Sequence, residues 1–392
     1  MNGHSLLVFP ASIAFALSAC ATREGAPTHP PPPASAPTLV ASAPTTAPPA
    51  PDESSAPTHS AATKQSPAEP TALMARPLAL PGAVAPVTLD YIVQEKPGRD
   101  SAHERIWIPV GDTGSVDVLD VTDGTFARVD GFKTQQREVR GKTRVMGPSA
   151  AAVGDGVVYV GNRATSEVCV VDAKTLKLGM CLRLPTPTDG VAYVSSAKEV
   201  WVTTPRDKTL TVLDAAKPEI LREKTVIKLD GAPEGYAVDG PRGLFFTNLE
   251  DTDRTLAIDV KTHKVLATWK PECEADGPRG IATDTSTGLV FVACTDHVQV
   301  LDGRHDGASV SRFETGAGVD NIEWSDARRL LYVAAGKAAM LVVLQIDEKG
   351  HATLAARGTT AEGARNAVCD SKGNAYVADP LHARVLQLPL SP

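Results

Sequence analysis

Six residues stand at matching points of a repeating pattern: Ser149, Asp189, Glu234, Arg279, Asp320 and Arg365. The intervals between them are 40, 45, 45, 41 and 45 residues. Five of the six are ionisable, and both signs are present. Gathered around one opening, such a set could bind a small ligand or the tip of a peptide. Arg279 and Arg365 would then receive an anionic group through bidentate hydrogen bonds. The competing reading is a solvated polar rim whose charges pair with one another. Three of the six, Asp189, Glu234 and Asp320, are carboxylates that could also serve acid–base chemistry. No Gly-x-Ser-x-Gly, no His-Glu-x-x-His and no phosphate-cradling glycine loop accompanies them, so no catalytic residue is assigned. No cofactor is implied either.

The six cysteines offer a second kind of chemistry. Cys169 and Cys181 flank a hairpin whose tip falls near Thr175, which places them opposite each other. Cys273 and Cys294 fall on one rim of a single repeat. Disulfides Cys169–Cys181 and Cys273–Cys294 follow if the chain is exported. Cys369 is left as a small buried apolar residue. The alternative at the second pair is zinc, with Cys273, Asp276, Cys294 and His297 as ligands. One Cys-x-x-His is a weak signal for it, and an oxidising compartment favours the disulfide. No metal site is assigned.

These residues need elements to hold them, and the repeat supplies them. In residues 278–302, PRGIATDTSTGLVFVACTDHVQVLD, three short β-branched segments alternate with polar turns. Segments this short cannot bury a core alone. Copies run from about residue 76 to the C-terminus. Seven second-strand segments are present, among them Val157–Val160, Leu244–Thr247, Leu289–Ala293 and Leu330–Val333. Third-strand segments end at or near Asp172, Asp214, Asp259, Asp302 and Asp347, at intervals of 42, 45, 43 and 45 residues. That is the length of a four-stranded propeller blade. The first interval, Asp120 to Asp172, is longer, and the excess reads as a polar loop over 133–142. The fold class is therefore all-β, a seven-bladed β-propeller over 76–392. Its last blade lacks a strand, which Arg76–Pro81 supplies from the N-terminal side. The first blade's inner strand is expected at Pro86-Val87, making Val87 the seventh residue of the ring.

The repeat resembles the YVTN family of seven-bladed propellers, including surface-layer and periplasmic YncE-like proteins. Val157-Val158-Tyr159-Val160-Gly161-Asn162, Leu330-Leu331-Tyr332-Val333-Ala334 and Ala375-Tyr376-Val377-Ala378 carry the likeness. So do the Val-Val-Asp and Val-Leu-Asp strand ends. The resemblance implies export and a mostly non-enzymatic binding role. Related propellers include lactonases, so a lactonase-like hydrolase using the central funnel is the rival reading. Others are similar to DNA-binding proteins. Here the net charge of −7 argues against a nucleic-acid partner. The short basic run Arg137, Arg140, Lys142, Arg144 is interrupted by Glu138 and reads as a solvated loop.

Residues 1–20 form an apolar leader too short to span a bilayer. Its end, Leu17-Ser18-Ala19-Cys20, resembles a bacterial lipobox, which implies lipidation of Cys20. A plain secretory signal with a chance cysteine is the other reading. Residues 21–75 are rich in Pro, Ala, Ser and Thr and are expected to be disordered. Extended at ~3.1 Å per residue, about fifty of them would reach roughly 150 Å, a tether if Cys20 is lipidated. The expected location is the periplasm or cell surface, with an unknown envelope protein or small ligand at the funnel.

Overall fold

The computed structural model describes residues 69–98, 103–139 and 141–390. The expected signal peptide, Cys20 and nearly all of the 21–75 linker lie outside these residues. Seven four-stranded antiparallel meanders make up the fold. Blade 1 is Val93–Glu95, Arg105–Val110, Ser115–Asp120 and Phe126–Val129. Blades 2 to 7 begin with the inner strands Pro148–Val153, Val191–Val194, Pro233–Asp239, Ile281–Asp284, Val319–Ser325 and Arg365–Cys369. Each inner strand touches the next, and the seventh touches the first, so the ring closes around a central channel.

Packing explains why these short segments fold. The second strand of each blade is buried almost throughout, and both faces of each sheet are apolar. Each pair of neighbouring blades shares one apolar cluster. Phe291, Trp324 and Leu344 fill the space between blades 5 and 6, and Trp201, Phe245 and Ile258 that between blades 3 and 4. The recurrent aspartates are turn formers. Asp172 Oδ1 accepts from the Thr175 amide at 2.6 Å and its hydroxyl at 2.8 Å. Asp259 does the same for Thr262.

The closing strand is where the repeat requires it. Arg76–Ala79 pairs antiparallel with Arg384–Leu388 and completes blade 7. Just beyond it, Leu80 is buried between blades 7 and 1. Three expectations need correction. Thr71–Leu73, inside the segment read as linker, is a fifth strand on blade 6, paired parallel to Ala352–Thr359. Leu73 drives this by filling the cluster between blades 6 and 7. The 133–142 loop contains a hairpin, Gln135–Val139 with Lys142–Met146. Blade 1's inner strand starts later than Pro86-Val87. The run 80–88 instead crosses from the outer strand of blade 7, with the Leu80 and Val87 amides donating to the Ala383 and Pro380 carbonyls. Val87 is buried between blades 7 and 1 and does not face the channel.

Leu80→Ala is expected to lower stability by about 2–5 kcal/mol, the range for a buried leucine truncation. Truncation before residue 84 should cost more than truncation before residue 70. Urea titration of both truncations checks this; equal midpoints would remove the closing strand from the stability argument.

Candidate binding site at the channel mouth

The inner strands start at one level, and their first residues converge there. Asp90, the residue before Tyr91-Ile92-Val93, occupies blade 1's place in the ring. The correction from Val87 follows from the later strand start. Tyr91 bridges to Ala150 of blade 2, next to Ser149. Small residues allow the close approach of neighbouring strands. Gly235 has φ +65°, and a Cβ there would meet the Arg279 carbonyl oxygen at 2.5 Å. A Cβ on Gly280 would meet the Asn321 Cα at 2.6 Å.

The charges form cross-blade pairs. Arg163, on the turn after the second strand of blade 2, reaches Asp90 Oδ2 at 2.8 Å and also bonds Asp189. Arg365 Nη1 lies 3.2 Å from Asp320 Oδ2. Arg279 pairs with Glu250, from the corresponding turn of blade 4. Arg279 and Arg365 thus each already hold a carboxylate. Glu234 forms no salt bridge among the described residues, although Arg365 lies within electrostatic reach of it; its Oε1 accepts from the Tyr91 hydroxyl at 2.9 Å. That hydroxyl also accepts from the Gly235 amide at 3.3 Å. The Asn366 amide donates to the Asp90 carbonyl oxygen at 2.9 Å.

Burial sets the protonation pattern. It pushes Glu234 well above the usual carboxylate range, and the nearby Asp189, Asp320 and Asp90 push it further. Burial also moves Asp189 up to about 6, against the opposing pull of Arg163. Asp320 is raised by burial too, with Arg365 opposing. Below the mouth, Tyr91 stacks on Tyr236 with ring centroids 5.6 Å apart. The channel there holds a cavity of about 270 Å³, bordered by Tyr91, Tyr236, Ile281, Asn321, Glu323 and Trp324. Burial moves Glu323 up to about 7.

Of the six residues singled out from the repeat, Asp189, Glu234, Arg279, Asp320 and Arg365 lie within electrostatic reach of one another, while Ser149 is buried with its carbonyl accepting from the Tyr91 amide. Asp90, Arg163, Glu250 and Tyr91 complete the mouth and were not found by sequence reasoning. Asp90-Tyr91-Ile92 carries the same polar-then-apolar pattern as the other inner strands. Arg163 and Glu250 each directly follow a second strand, Val157–Asn162 and Leu244–Leu249.

Both expected disulfides are formed, Cys169–Cys181 and Cys273–Cys294. Cys169 and Cys181 are register partners on adjacent strands. Cys369 is a buried free thiol. The second disulfide removes both sulfurs from the zinc set considered above. His297 Nδ1 instead meets Asp296 Oδ1 at 2.6 Å, and Asp276 accepts from Thr295 at 3.2 Å. In the basic run, Arg137 donates to the Ala164 carbonyl and packs the hairpin onto blade 2. Arg140 lies outside the described residues.

No protein-family model and no curated protein matches the sequence. Solved structures do. Virginiamycin B lyase from Staphylococcus aureus is similar at 12% identity and TM-score 0.61, over 81% of this chain and 100% of that one. Kuenenia stuttgartiensis hydrazine synthase is similar at 14% identity and TM-score 0.62, over 80% and 99%. The structure of U3-55K gives 10% identity and TM-score 0.63, over 81% and 98%. At these identities the likeness establishes the propeller fold and nothing further.

Two outcomes follow. Denatured, unreduced protein should titrate no thiol from Cys169, Cys181, Cys273 or Cys294. Each bridge, spanning 12 and 21 residues, should stabilise by about 3 kcal/mol on the loop-entropy model. Four additional thiols in the count would contradict both bridges. The second outcome concerns pH. The unfolded chain ionises Glu323 near the ordinary glutamate value, whereas the folded chain holds that proton up to about pH 7. Stability should therefore fall as pH rises through this window, with Glu323 contributing on the order of 2–3 kcal/mol. Glu323→Gln should flatten the urea midpoint's pH profile and be more stable than the parent at pH 8. An unchanged slope would contradict the assignment.

Proposed function

We propose that this protein is an exported β-propeller, lipid-anchored through Cys20 and carried on the 21–75 tether, that acts as a non-enzymatic binding or scaffold module of the cell envelope. The observation that carries the reading is the mouth itself. All seven blades deliver polar side chains to one opening above an aromatic-walled channel. Two disulfides support maturation in an oxidising compartment. Among the described residues no helix is long and apolar enough to cross a membrane. The YVTN-like repeat is consistent with periplasmic or surface residence. The occupant of the mouth is a small ligand or the tip of an envelope protein.

A lactonase-like hydrolase is the second reading. It is favoured by one observation: Glu234, Asp189 and Asp320 share the mouth, and burial raises all three. A carboxyl that stays protonated near neutrality can act as a general acid. Lactone turnover lost in Glu234→Gln would establish the enzyme and remove the scaffold. For the anchor, Cys20→Ala is expected to move the protein from the membrane to the soluble fraction with loss of the lipid mass. A variant that stays membrane-bound with unchanged mass would remove lipidation.

A further inference from the structure

The mouth holds more acidic than basic side chains. Its carboxylates are Asp90, Asp189, Glu234, Glu250 and Asp320, and its guanidiniums are Arg163, Arg279 and Arg365. Each guanidinium is already held by a carboxylate. Glu234 is the acid outside these salt bridges, hydrogen-bonded to a phenol and reached by Arg365 only through space.

An independent observation points the same way. Four buried side-chain oxygens on residues at or just before the inner-strand starts have no hydrogen-bond partner: Ser149 Oγ, Thr188 Oγ1, Asp189 Oδ2 and Asn366 Oδ1. Ser149, Thr188 and Asn366 are 1%, 1% and 2% exposed. Buried polar atoms are ordinarily satisfied, so unpartnered oxygens beside the mouth are available to a ligand's polar atoms. Two of the four, a carboxylate and an amide oxygen, can only accept. The other two are hydroxyls, which can accept as well. A ligand meeting the carboxylate and amide oxygens would therefore donate hydrogen bonds to them.

Chemistry and spacing limit what it is. A bare metal ion needs its ligand atoms close together. Among the described residues, the triplets of His, Cys, Asp and Glu whose ligand atoms all lie within 4.8 Å are Glu167–Cys169–Cys181 and Asp296–His297–Glu314. Neither is at the mouth. A larger cation with diverging N–H donors fits better. The stacked Tyr91 and Tyr236 beneath offer an aromatic surface for its carbon stem.

Resting on the reading of the mouth as a binding site, we propose that it takes an organic cation. The bound group is a primary ammonium or a guanidinium, free or at the end of a peptide side chain. Glu234 becomes the charge partner as the cation binds, releasing its proton to solvent, while Asp189 Oδ2 and Asn366 Oδ1 accept remaining hydrogens of the cation.

Isothermal titration of the full chain tests this. The probes are 1,4-diaminobutane, Nα-acetyl-lysine amide and Nα-acetyl-arginine amide, with acetate, inorganic phosphate and calcium chloride alongside. Saturable binding of at least one cationic probe is expected, weakened tenfold or more in Glu234→Gln. Preference for the diamine over both amino-acid amides would identify a free amine; the reverse would identify a peptide side chain. Asp189→Asn serves if Glu234→Gln does not fold, with thermal unfolding as the check. No heat from any amine or guanidine probe would overturn the proposal. So would equal affinity in both variants, or calcium binding that excludes the amines. Acetate or phosphate binding that disappears in Arg365→Ala would overturn the cation while leaving the mouth a binding site. If neither these probes nor partner capture responds to any mouth variant, the site reading falls as well.

Discussion

The structure depends on apolar contact between neighbouring blades. Each sheet is apolar on both faces, so no blade can be stable alone and none can end the series. Its faces are buried only if it has a neighbour on each side. Seven shared clusters meet that requirement in a closed ring, down to single residues such as Phe291 against Trp324, at 4.7 Å between ring centroids. Closure in turn requires the last blade's open edge to be covered, which Arg76–Ala79 does by pairing with Arg384–Leu388. The chain's two ends thus depend on each other. Leu73 extends the same device by one blade, tying a further N-terminal strand onto blade 6.

The mouth is a consequence of that ring. Closing it brings the starts of the inner strands to one level, and the residues there cannot avoid one another. The chain places ionisable groups in a partly buried position, which costs free energy unless they pair or neutralise. Both solutions are present. Arg163 bridges two aspartates from different blades, and Arg365 and Arg279 each take one carboxylate. At Glu234, beside the Tyr91 hydroxyl, burial pushes the carboxyl well above its usual range and so favours the second course. Retaining such a group, together with unpartnered oxygens at Ser149, Thr188, Asp189 and Asn366, is difficult to explain by stability alone.

Much of the fold was legible because its signals are local. Strand periodicity, the aspartate that starts each outer hairpin and the blade-length interval are all contained within about 45 residues of chain. They suffice for seven blades, for the N-terminal closing strand and for the opposition of Cys169 and Cys181 across one hairpin. Five of the mouth's residues came from the same ruler. Where a local signal was weak, the reading slipped. Pro86-Val87 resembles a strand start, but Val87 is spent on packing between blades 7 and 1, and Asp90 takes the ring position. Leu73 is one leucine in a Pro- and Ala-rich stretch, and only its slot between two blades makes it a strand residue.

What the tertiary structure alone decided is who faces whom across the channel. Asn366 bonds Asp90 across 276 residues of sequence, and Tyr91 bonds Glu234 across 143. No periodicity relates such positions, because their meeting is set by ring closure and not by strand geometry. For the same reason the sequence could show that arginines and acids would gather at a mouth, yet not that the arginines would already be taken. The sequence determined the repeat and therefore the propeller, since a β-strand's pattern is written residue by residue. The pairing of the mouth's charges, its unpartnered acceptors and the raised Glu234 are properties of the closed ring.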